Sequence, residues 1–417
     1  MSSGAFVVVG AGLAGATAVA TLREQGYDGR LVLVGAEPHL PYERPPLSKA
    51  YLAGQASFED AFVHPAEFYD TRDVELRLGA PATGLDLEAH TVKVGGERFG
   101  YDRLLLATGS TARRLPSADR SGATVAYLRT VEDSDRIRAA LRPGRRVVVV
   151  GGGWIGLEVA ATARTAGCDV VVVEPLAEPL TRVLGPTVGR LFADLHRAHG
   201  VEVRTSTAVT GIRSRPPTGT PADGVPAVVE LDDGTAVQAD LLVVGIGAVP
   251  TTELAEAAGL EVGDGVLADE TLRTSHPDVF VAGDLANAWH ARFGRRLRVE
   301  HWHNAKAQGA TAARNMLGAE EPHDHLPYFF TDQYDLGMEY VGHAGGDDGL
   351  VLRGDPGSGV YTAFWATGDR VSAAMHVNDW DATPSLRAIV GADHVDLARL
   401  RDPAVPLGEV VASPTVP

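Results

Sequence analysis

The chain has 417 residues, of which 45% are hydrophobic and 22% are charged, a composition typical of a folded protein with two or three domains. Its 37 lysines and arginines against 54 aspartates and glutamates give a net charge of −17. Because an acidic surface repels phosphate backbones and anionic lipid headgroups, we expect neither nucleic-acid nor membrane partners. Since no stretch resembles a signal peptide or a membrane span, we expect a cytoplasmic protein.

Short runs of Val, Leu and Ile that end at a glycine or an acid recur through the first three quarters of the chain. Such runs are typical of parallel strands that helices bury on both faces, so they predict an α/β fold. The runs are 6–9, 31–34, 104–106, 147–150, 170–173, 241–244 and 279–281.

Two later segments have a different pattern. Residues 211–227 are rich in Pro, Gly and Thr, and we expect them to form a surface connection between strands. From about His323 onward, YFFTDQYDLGMEYVGH and GVYTAFWATGDRVSAAMHVN are typical of antiparallel strands. They predict a smaller α+β domain at the C-terminus.

The first predicted strand runs directly into the glycine motif GAGLAG. Gly10 permits the tight turn, Gly12 admits a pyrophosphate against bare backbone, and Gly15 lets helix and strand pack closely. The helix N-terminus then attracts the phosphate charge. Glu37, at the end of the next strand, is placed to accept hydrogen bonds from ribose hydroxyls.

The same arrangement recurs in VVVVGGGWIG, where Gly151, Gly153 and Gly156 have the same three roles. Glu174 follows the next strand. A carboxylate here accepts from a free 2′-hydroxyl and repels a 2′-phosphate, so the sequence favours NADH over NADPH. Two phosphate cradles in one chain predict one tightly held FAD and one exchanging nicotinamide.

Nine segments resemble the FAD-dependent, NADH-using ferredoxin reductases that serve bacterial oxygenases and cytochromes P450. They are GAGLAG, YERPPLSK, LLLATGS, YLRTVEDSDRI, GGGWIGLEVA, VGIGAVPTTELAEAAGL, VFVAGD, EHWHNAKAQG and FFTDQYD. The resemblance covers nearly the whole chain and implies two Rossmann-like domains of the glutathione-reductase kind. Residues 1–113 and 244–322 would bind FAD, 114–243 would bind NADH, and 323–417 would form the C-terminal α+β domain.

The resemblance implies catalytic roles for Lys49, Glu158 and Trp302. Lys49 would place a cation near the N5 and O4 edge of the flavin, where it stabilises the reduced ring. Glu158 would contact the nicotinamide carboxamide, and Trp302 would border the isoalloxazine. The other implied cofactor-binding residues are Gly10, Gly12, Leu13, Ala14, Gly15, Glu37, Arg44, Ala82, Thr108, Gly109, Arg129, Gly151, Gly153, Trp154, Ile155, Gly156, Glu174, Gly247, Gly283, Asp284 and His301.

No metal site is predicted, because His301 and His303 form only an isolated His-x-His pair. Cys168 is the single cysteine, so no dithiol can relay electrons, and we interpret it as a small buried hydrophobe. Electrons would therefore leave FAD one at a time for a 2Fe-2S ferredoxin, which passes them to a cytochrome P450 or an oxygenase.

Such ferredoxins are normally acidic, so a reductase of net charge −17 needs a local positive patch. The segment ARFGRRLRV offers Arg292, Arg295, Arg296 and Arg298, which we interpret as a docking loop or as a solvated hairpin. Other acceptors remain open: the chain could be an NADH:rubredoxin reductase or an NADH oxidase. In another class, it could be an NADH-responsive signalling flavoprotein similar to apoptosis-inducing factor.

Overall fold

A computed structural model describes residues 4–216, 224–346 and 348–411. Their contacts divide the described chain into two compact units. The first unit comprises the described parts of Met1–Arg44, Phe58–Thr111 and Ala248–Pro327. The second comprises those of Pro45–Ser57, Ala112–Gly247 and Tyr328–Pro417.

A parallel sheet forms the centre of the first unit. Its five strands lie in the order β20-β7-β1-β2-β3, and the middle strands are buried on both faces because their residues are almost all Val and Leu. The strands are β1 (Ala5–Val9), β2 (Arg30–Val34), β3 (Val74–Arg77), β7 (Arg103–Leu106) and β20 (Val279–Val281). The helices of this unit are α1 (Leu13–Glu24), α2 (Ala66–Thr71), α7 (Glu253–Ala257) and α8 (Trp302–Met316).

Two smaller sheets complete the first unit. One is an antiparallel sheet of β4 (Ala82–Asp86), β5 (Thr91–Val94) and β6 (Glu97–Gly100). The other contains β18 (Val262–Gly263), β19 (Gly265–Ala268), β21 (Ala286–His290) and β22 (Arg295–Leu297). A two-stranded sheet pairs β8 (Ser110–Ala112) with β17 (Ala248–Pro250).

The second unit repeats the parallel arrangement in the order β12-β11-β10-β16-β9. These strands are β9 (Val125–Ala126), β10 (Arg146–Val150), β11 (Asp169–Val173), β12 (Glu202–Arg204) and β16 (Leu241–Val244). An antiparallel sheet of β13 (Val209–Ser214), β14 (Ala227–Leu231) and β15 (Ala236–Ala239) accompanies them. The helices in this part are α3 (Pro116–Asp119), α4 (Val131–Ala140), α5 (Trp154–Thr165) and α6 (Thr181–Ala198).

The C-terminal region forms an antiparallel sheet in the order β23-β24-β27-β26-β25. Its strands are β23 (Tyr328–Gln333), β24 (Leu336–Gly342), β25 (Gly349–Asp355), β26 (Val360–Thr367) and β27 (Arg370–Val377). Two helices follow, α9 (Thr383–Gly391) and α10 (Leu397–Arg401). The predicted change from parallel to antiparallel strands is confirmed.

All seven predicted strands are present, several beginning one residue earlier than expected. The prediction that 211–227 is entirely connection was wrong at both ends, because Gly211–Ser214 continues β13 and Ala227 begins β14. Arg213 and Ser214 are exposed although they pair with β14, so their polar side chains gave this end of the strand the composition of a loop. Residues 217–223 of that connection lie outside the described residues.

In each parallel sheet one strand marks the point at which the order of strand addition reverses, so that successive strands are added first on one side of it and then on the other. β1 lies between β2 and β7, and β10 lies between β11 and β16. The carboxyl end of such a strand opens into a crevice, where α/β proteins bind ligands. Both glycine motifs therefore lie at the topological switch point of their sheet.

Among the described helices, none combines the length and the apolar character needed to cross a membrane.

Candidate cofactor-binding site

The first glycine turn follows β1 and begins α1. Gly10 has φ of 122°, and a Cβ there would lie 2.0 Å from the Ala107 carbonyl oxygen. A Cβ on Gly15 would lie 1.9 Å from the Gly10 carbonyl oxygen. Gly12 differs, because an added Cβ would meet no protein atom within 4 Å. Packing explains the first and third glycines, whereas the space beside Gly12 fits a pyrophosphate.

The second glycine turn, after β10, has the same geometry. A Cβ on Gly151 would lie 2.3 Å from the Gly245 carbonyl oxygen, and one on Gly156 would lie 2.1 Å from the Gly151 carbonyl oxygen. A Cβ on Gly153 would have its nearest contact at 3.9 Å. The middle glycine is again the one that packing does not require.

Both helices that follow these turns present their first N–H groups at the crevice. α1 begins at Leu13 with Ala14 next, and α5 begins at Trp154 with Ile155 next. No side chain caps either helix at Gly12 or Gly153. Backbone N–H groups of this kind, together with the helix dipole, bind phosphate oxygens.

Glu37 stands three residues after β2 and belongs to a polar cluster. Arg44 donates to Glu37 Oε1 at 2.5 Å, and the Tyr42 hydroxyl donates to Glu37 Oε2. Burial opposes the charge of Arg44, but its hydrogen bond to Glu37 and the charges of Tyr42, Glu37 and Asp284 raise the pKa of the guanidinium above its ordinary value. The predicted residues Glu37 and Arg44 therefore contact each other directly, and Tyr42, which the sequence did not indicate, bonds to both.

Glu174 follows β11 directly and is buried. Its Oε2 accepts from the Gly152 N–H at 2.7 Å and its Oε1 accepts from the Leu176 N–H at 2.9 Å. These bonds fix an acceptor-only group beside the second glycine turn. Such a group fits ribose hydroxyls, which donate, and does not fit a phosphate.

Lys49 and Glu158 form a buried ion pair within the second unit. The Lys49 Nζ lies 2.7 Å from Glu158 Oε1, with side chains 16% and 4% exposed. Ser48 Oγ donates to Glu158 Oε2, and Thr331 Oγ1 donates to Oε1 at 2.6 Å. Lys49 also lies over the ring of Phe330, 5.3 Å from its centroid. The Lys49 ammonium is thus fixed by its contacts with Glu158 and Phe330 rather than extended into solvent.

Ser48 and Thr331 were not among the predicted site residues. Both lie inside motifs that carried the resemblance, YERPPLSK and FFTDQYD. The available signal was the short hydroxyl side chain in each motif, but nothing in the sequence shows that the two converge on Glu158.

The loop after β7 and the turn after β20 meet in the first unit. Thr108 Oγ1 donates to the Thr251 carbonyl at 2.8 Å, and the Gly109 carbonyl accepts from the Thr251 N–H. Ser110 Oγ donates to Asp284 Oδ2 at 2.8 Å, and the Gly283 N–H donates to Gln308 Oε1. The Ser110 contact fixes the Asp284 carboxylate three residues after the end of β20.

Four further predicted residues occupy well-defined positions elsewhere. Ala82 begins β4. The Arg129 N–H donates to Asp133 Oδ2 ahead of α4. Gly247 has φ of 104°, and its carbonyl accepts from the Arg113 N–H. His301 is the N-cap residue of α8.

Trp302 is the first residue of α8, and its indole lies 5.2 Å from the Lys306 Nζ. α8 packs closely on α1, since a Cβ on Gly309 would lie 2.3 Å from the Ala14 carbonyl oxygen. The N-terminus of α8 is thereby fixed relative to the helix that leaves the first glycine turn.

The arginine segment forms the β21–β22 hairpin. Arg292, Arg295 and Arg296 are exposed, whereas Arg298 is largely buried and pairs with Asp264 and Glu300. The charge of Arg298 is thus neutralised inside the first unit, by Glu300 two residues on and Asp264 from a distant turn. Trp289, 38% exposed, is directly opposite Arg296 in the hairpin.

Cys168 is fully buried, and burial raises the pKa of its thiol above the ordinary value. The interpretation of Cys168 as a buried hydrophobe is confirmed. Within the described residues, no group of three or more His, Cys, Asp or Glu side chains could hold a metal ion.

Comparison with known proteins gives two family matches. The model of the pyridine nucleotide-disulphide oxidoreductases matches residues 4–309, and that of the reductase C-terminal domain matches residues 328–411. The first covers both glycine turns, and the second covers the antiparallel sheet that supplies Thr331.

Relatives match along almost the whole chain. The ferredoxin–NAD(+) reductase component of the anthranilate 1,2-dioxygenase system of Burkholderia cepacia is 41% identical, over 98% of this chain and 99% of the relative. Putidaredoxin reductase of Pseudomonas putida is 38% identical, over 98% of this chain and 96% of its own. The crystal structure of the covalent putidaredoxin reductase–putidaredoxin complex superposes with a TM-score of 0.93 at 37% identity, covering 99% of both chains.

These matches confirm the predicted resemblance and fold class, and with them an oxidoreductase that uses FAD and NAD(H). With both glycine turns, the acid after each and the C-terminal sheet in place, the chain belongs to the pyridine nucleotide-disulphide oxidoreductase family and carries its reductase C-terminal domain.

Proposed function

We propose that this chain takes hydride from NADH with bound FAD and supplies single electrons to a 2Fe-2S ferredoxin of a cytochrome P450 or oxygenase system. The observation that carries the proposal is the pair of glycine turns with room at each middle glycine, in a chain whose only cysteine is buried. Of the relatives named above, one is the ferredoxin–NAD(+) reductase component of a dioxygenase system and another is putidaredoxin reductase. FAD, when bound, supplies the conversion between a two-electron donor and one-electron acceptors.

The chain's own residues bind both cofactors and hold a positive charge for this reaction. The N–H groups that begin α1 bind the FAD pyrophosphate, with Glu37 accepting from ribose hydroxyls. Asp284 accepts from hydroxyls of the ribityl chain. The N–H groups that begin α5 bind the NADH pyrophosphate, and Glu174 selects the free 2′-hydroxyl. The Lys49–Glu158 pair holds a positive charge at a fixed atom, where it favours the anionic reduced ring.

Replacing the middle glycine tests the first cradle. In Gly12→Ala the new methyl group meets no protein atom, so we expect a normal fold with FAD affinity reduced about 10- to 100-fold, the effect of about 1–3 kcal/mol of overpacking against the ligand. The measurements are FAD content after purification, FAD titration and far-UV circular dichroism.

Two other glycine-to-alanine variants serve as controls. Gly15→Ala drives a methyl group into the Gly10 carbonyl and should fold poorly, whereas Gly391→Ala enters open space and should retain FAD. Full FAD binding by Gly12→Ala would contradict the assignment of this turn to a pyrophosphate.

The choice of donor depends on Glu174. In Glu174→Gln the negative charge is lost and one accepting oxygen remains, so we expect the ratio of kcat/KM for NADPH to that for NADH to rise about tenfold. Glu202→Gln, an exposed acid at the start of β12, is the control and should leave the ratio unchanged. A ratio that already favours NADPH in the unaltered protein would overturn the donor assignment.

The acceptor is tested by turnover. We expect NADH oxidation to be slow with oxygen and fast with a 2Fe-2S ferredoxin from the same genome. Fast oxygen consumption would identify an oxidase instead, and preference for rubredoxin would identify a rubredoxin reductase. A slow, persistent charge-transfer complex with little turnover would favour the signalling class.

We place the ferredoxin on the β21–β22 hairpin, through Arg292, Arg295 and Arg296. Their exposure supports the proposal, as does the exposed Trp289, because Trp and Arg are the residues that most often dominate binding energy at interfaces. Arg298 has no part in the proposal, because its charge is neutralised by Asp264 and Glu300.

Charge reversal tests this surface. In Arg292→Glu combined with Arg295→Glu, we expect kcat/KM for ferredoxin to fall about tenfold or more at low salt and the difference to shrink as salt rises. NADH reduction of the flavin should be unchanged. Arg136→Glu combined with Arg370→Glu changes the net charge equally at exposed sites outside the hairpin, so an equal loss in that control would refute a specific role.

A further inference from the structure

A line of buried hydrogen bonds runs through the second unit to Glu158. His196 Nε2 lies 2.9 Å from Gln333 Oε1, Gln333 Nε2 donates to Thr331 Oγ1 at 3.2 Å, and Thr331 Oγ1 donates to Glu158 Oε1 at 2.6 Å. His196, Gln333 and Thr331 are each 1% exposed or less. The line therefore joins α6, through β23, to the ion pair with Lys49.

The direction of each bond follows from the chemistry of the groups. The Glu158 carboxylate can only accept, so the single hydrogen of the Thr331 hydroxyl points to it. That hydroxyl oxygen then accepts from the Gln333 amide, whose own oxygen faces His196 and accepts from its Nε2–H. The remaining ring nitrogen, Nδ1, accepts from the Tyr334 hydroxyl, 3.3 Å away. Every donor points towards Glu158.

The electrostatics agree with this direction. A neutral imidazole with its hydrogen on Nε2 is what the line requires. Burial lowers the pKa of His196 to about 4, against a smaller opposing effect of its bond to Gln333, and the charge of His199 lowers it further. His196 is thus neutral at physiological pH.

We propose that Thr331, Gln333 and His196 are positioning residues that fix the Glu158 carboxylate, and through it the Lys49 ammonium, for hydride transfer. This inference rests on the proposed function, since it deepens the role given there to the Lys49–Glu158 pair. A buried carboxylate needs donors to its oxygens. Without the Thr331 hydroxyl, Glu158 keeps Ser48 and Lys49 but loses the bond that fixes the oxygen shared with the ammonium.

Thr331→Val is the sharpest test, because it changes almost no volume but removes the hydrogen that Thr331 donates to Glu158. Thr331→Ser keeps that hydrogen. If the line positions the pair, Thr331→Val should slow hydride transfer, and Thr331→Ser should behave like the unaltered protein.

The experiment uses the FAD-loaded protein in anaerobic stopped-flow reduction by NADH. We expect the limiting rate of flavin reduction to fall about tenfold or more in Thr331→Val, with the Kd for NADH within about twofold, the split that marks lost transition-state stabilisation. Thr331→Ser should restore the rate. Equal rates in Thr331→Val and the unaltered protein, or an equal loss in Thr331→Ser, would overturn the inference.

A second readout does not depend on turnover. In protein labelled with ¹⁵N-histidine, His196 should show the neutral tautomer protonated at Nε2, and Thr331→Val should leave that signature in place while Gln333→Leu removes the Nε2 acceptor and alters it. A His196 protonated at Nδ1 in the unaltered protein would contradict the line. Failure of NADH to reduce the flavin of the unaltered protein would instead refute the proposed function itself.

Discussion

The close approach of a helix to the strand before it is the constraint on which both cofactor cradles depend. In each parallel sheet the third glycine of the motif lies so near the carbonyl of the first that a methyl group would overlap it, at 1.9 Å in one unit and 2.1 Å in the other. This contact brings the N–H groups of α1 and α5 to the ends of β1 and β10. Because the middle glycine has no packing partner closer than 3.9 Å in either turn, the same geometry leaves room for a phosphate.

A buried charge imposes a second constraint on the second unit. The Glu158 carboxylate is stabilised by donors from two remote segments, since Ser48 and Lys49 follow the Pro-Pro turn and Thr331 belongs to β23 of the C-terminal sheet. An unpaired carboxylate at this depth would be costly. The C-terminal sheet therefore supplies one of the groups that hold the Lys49–Glu158 pair.

The sequence was sufficient to predict the class of fold, the parallel strands and the positions of both glycine turns, because these depend on local patterns of apolar residues and glycine. It also indicated Lys49, Glu158, Glu37 and Arg44 as site residues, and the structure pairs Lys49 with Glu158 and Glu37 with Arg44. It did not reveal Ser48, Thr331 or the line through Gln333 to His196, since these side chains bond to partners more than 100 residues away. Nor did it reveal Tyr42, whose bonds to Glu37 and Arg44 are local but depend on how the loop after β2 folds. Nor did the sequence distinguish Arg298 from the other three arginines of its segment, because its ion pair with Asp264 forms only in the folded chain.

The central claim is that FAD is the redox group of this chain, with no sulfur relay beside it, and an anaerobic titration of the FAD-loaded protein with NADH tests it most directly. The visible flavin absorbance would be followed as NADH is added in small steps. We predict complete bleaching at one equivalent of NADH per FAD, because one flavin stores one hydride and the buried Cys168 stores none. An endpoint at two equivalents, or no bleaching by NADH, would contradict the claim.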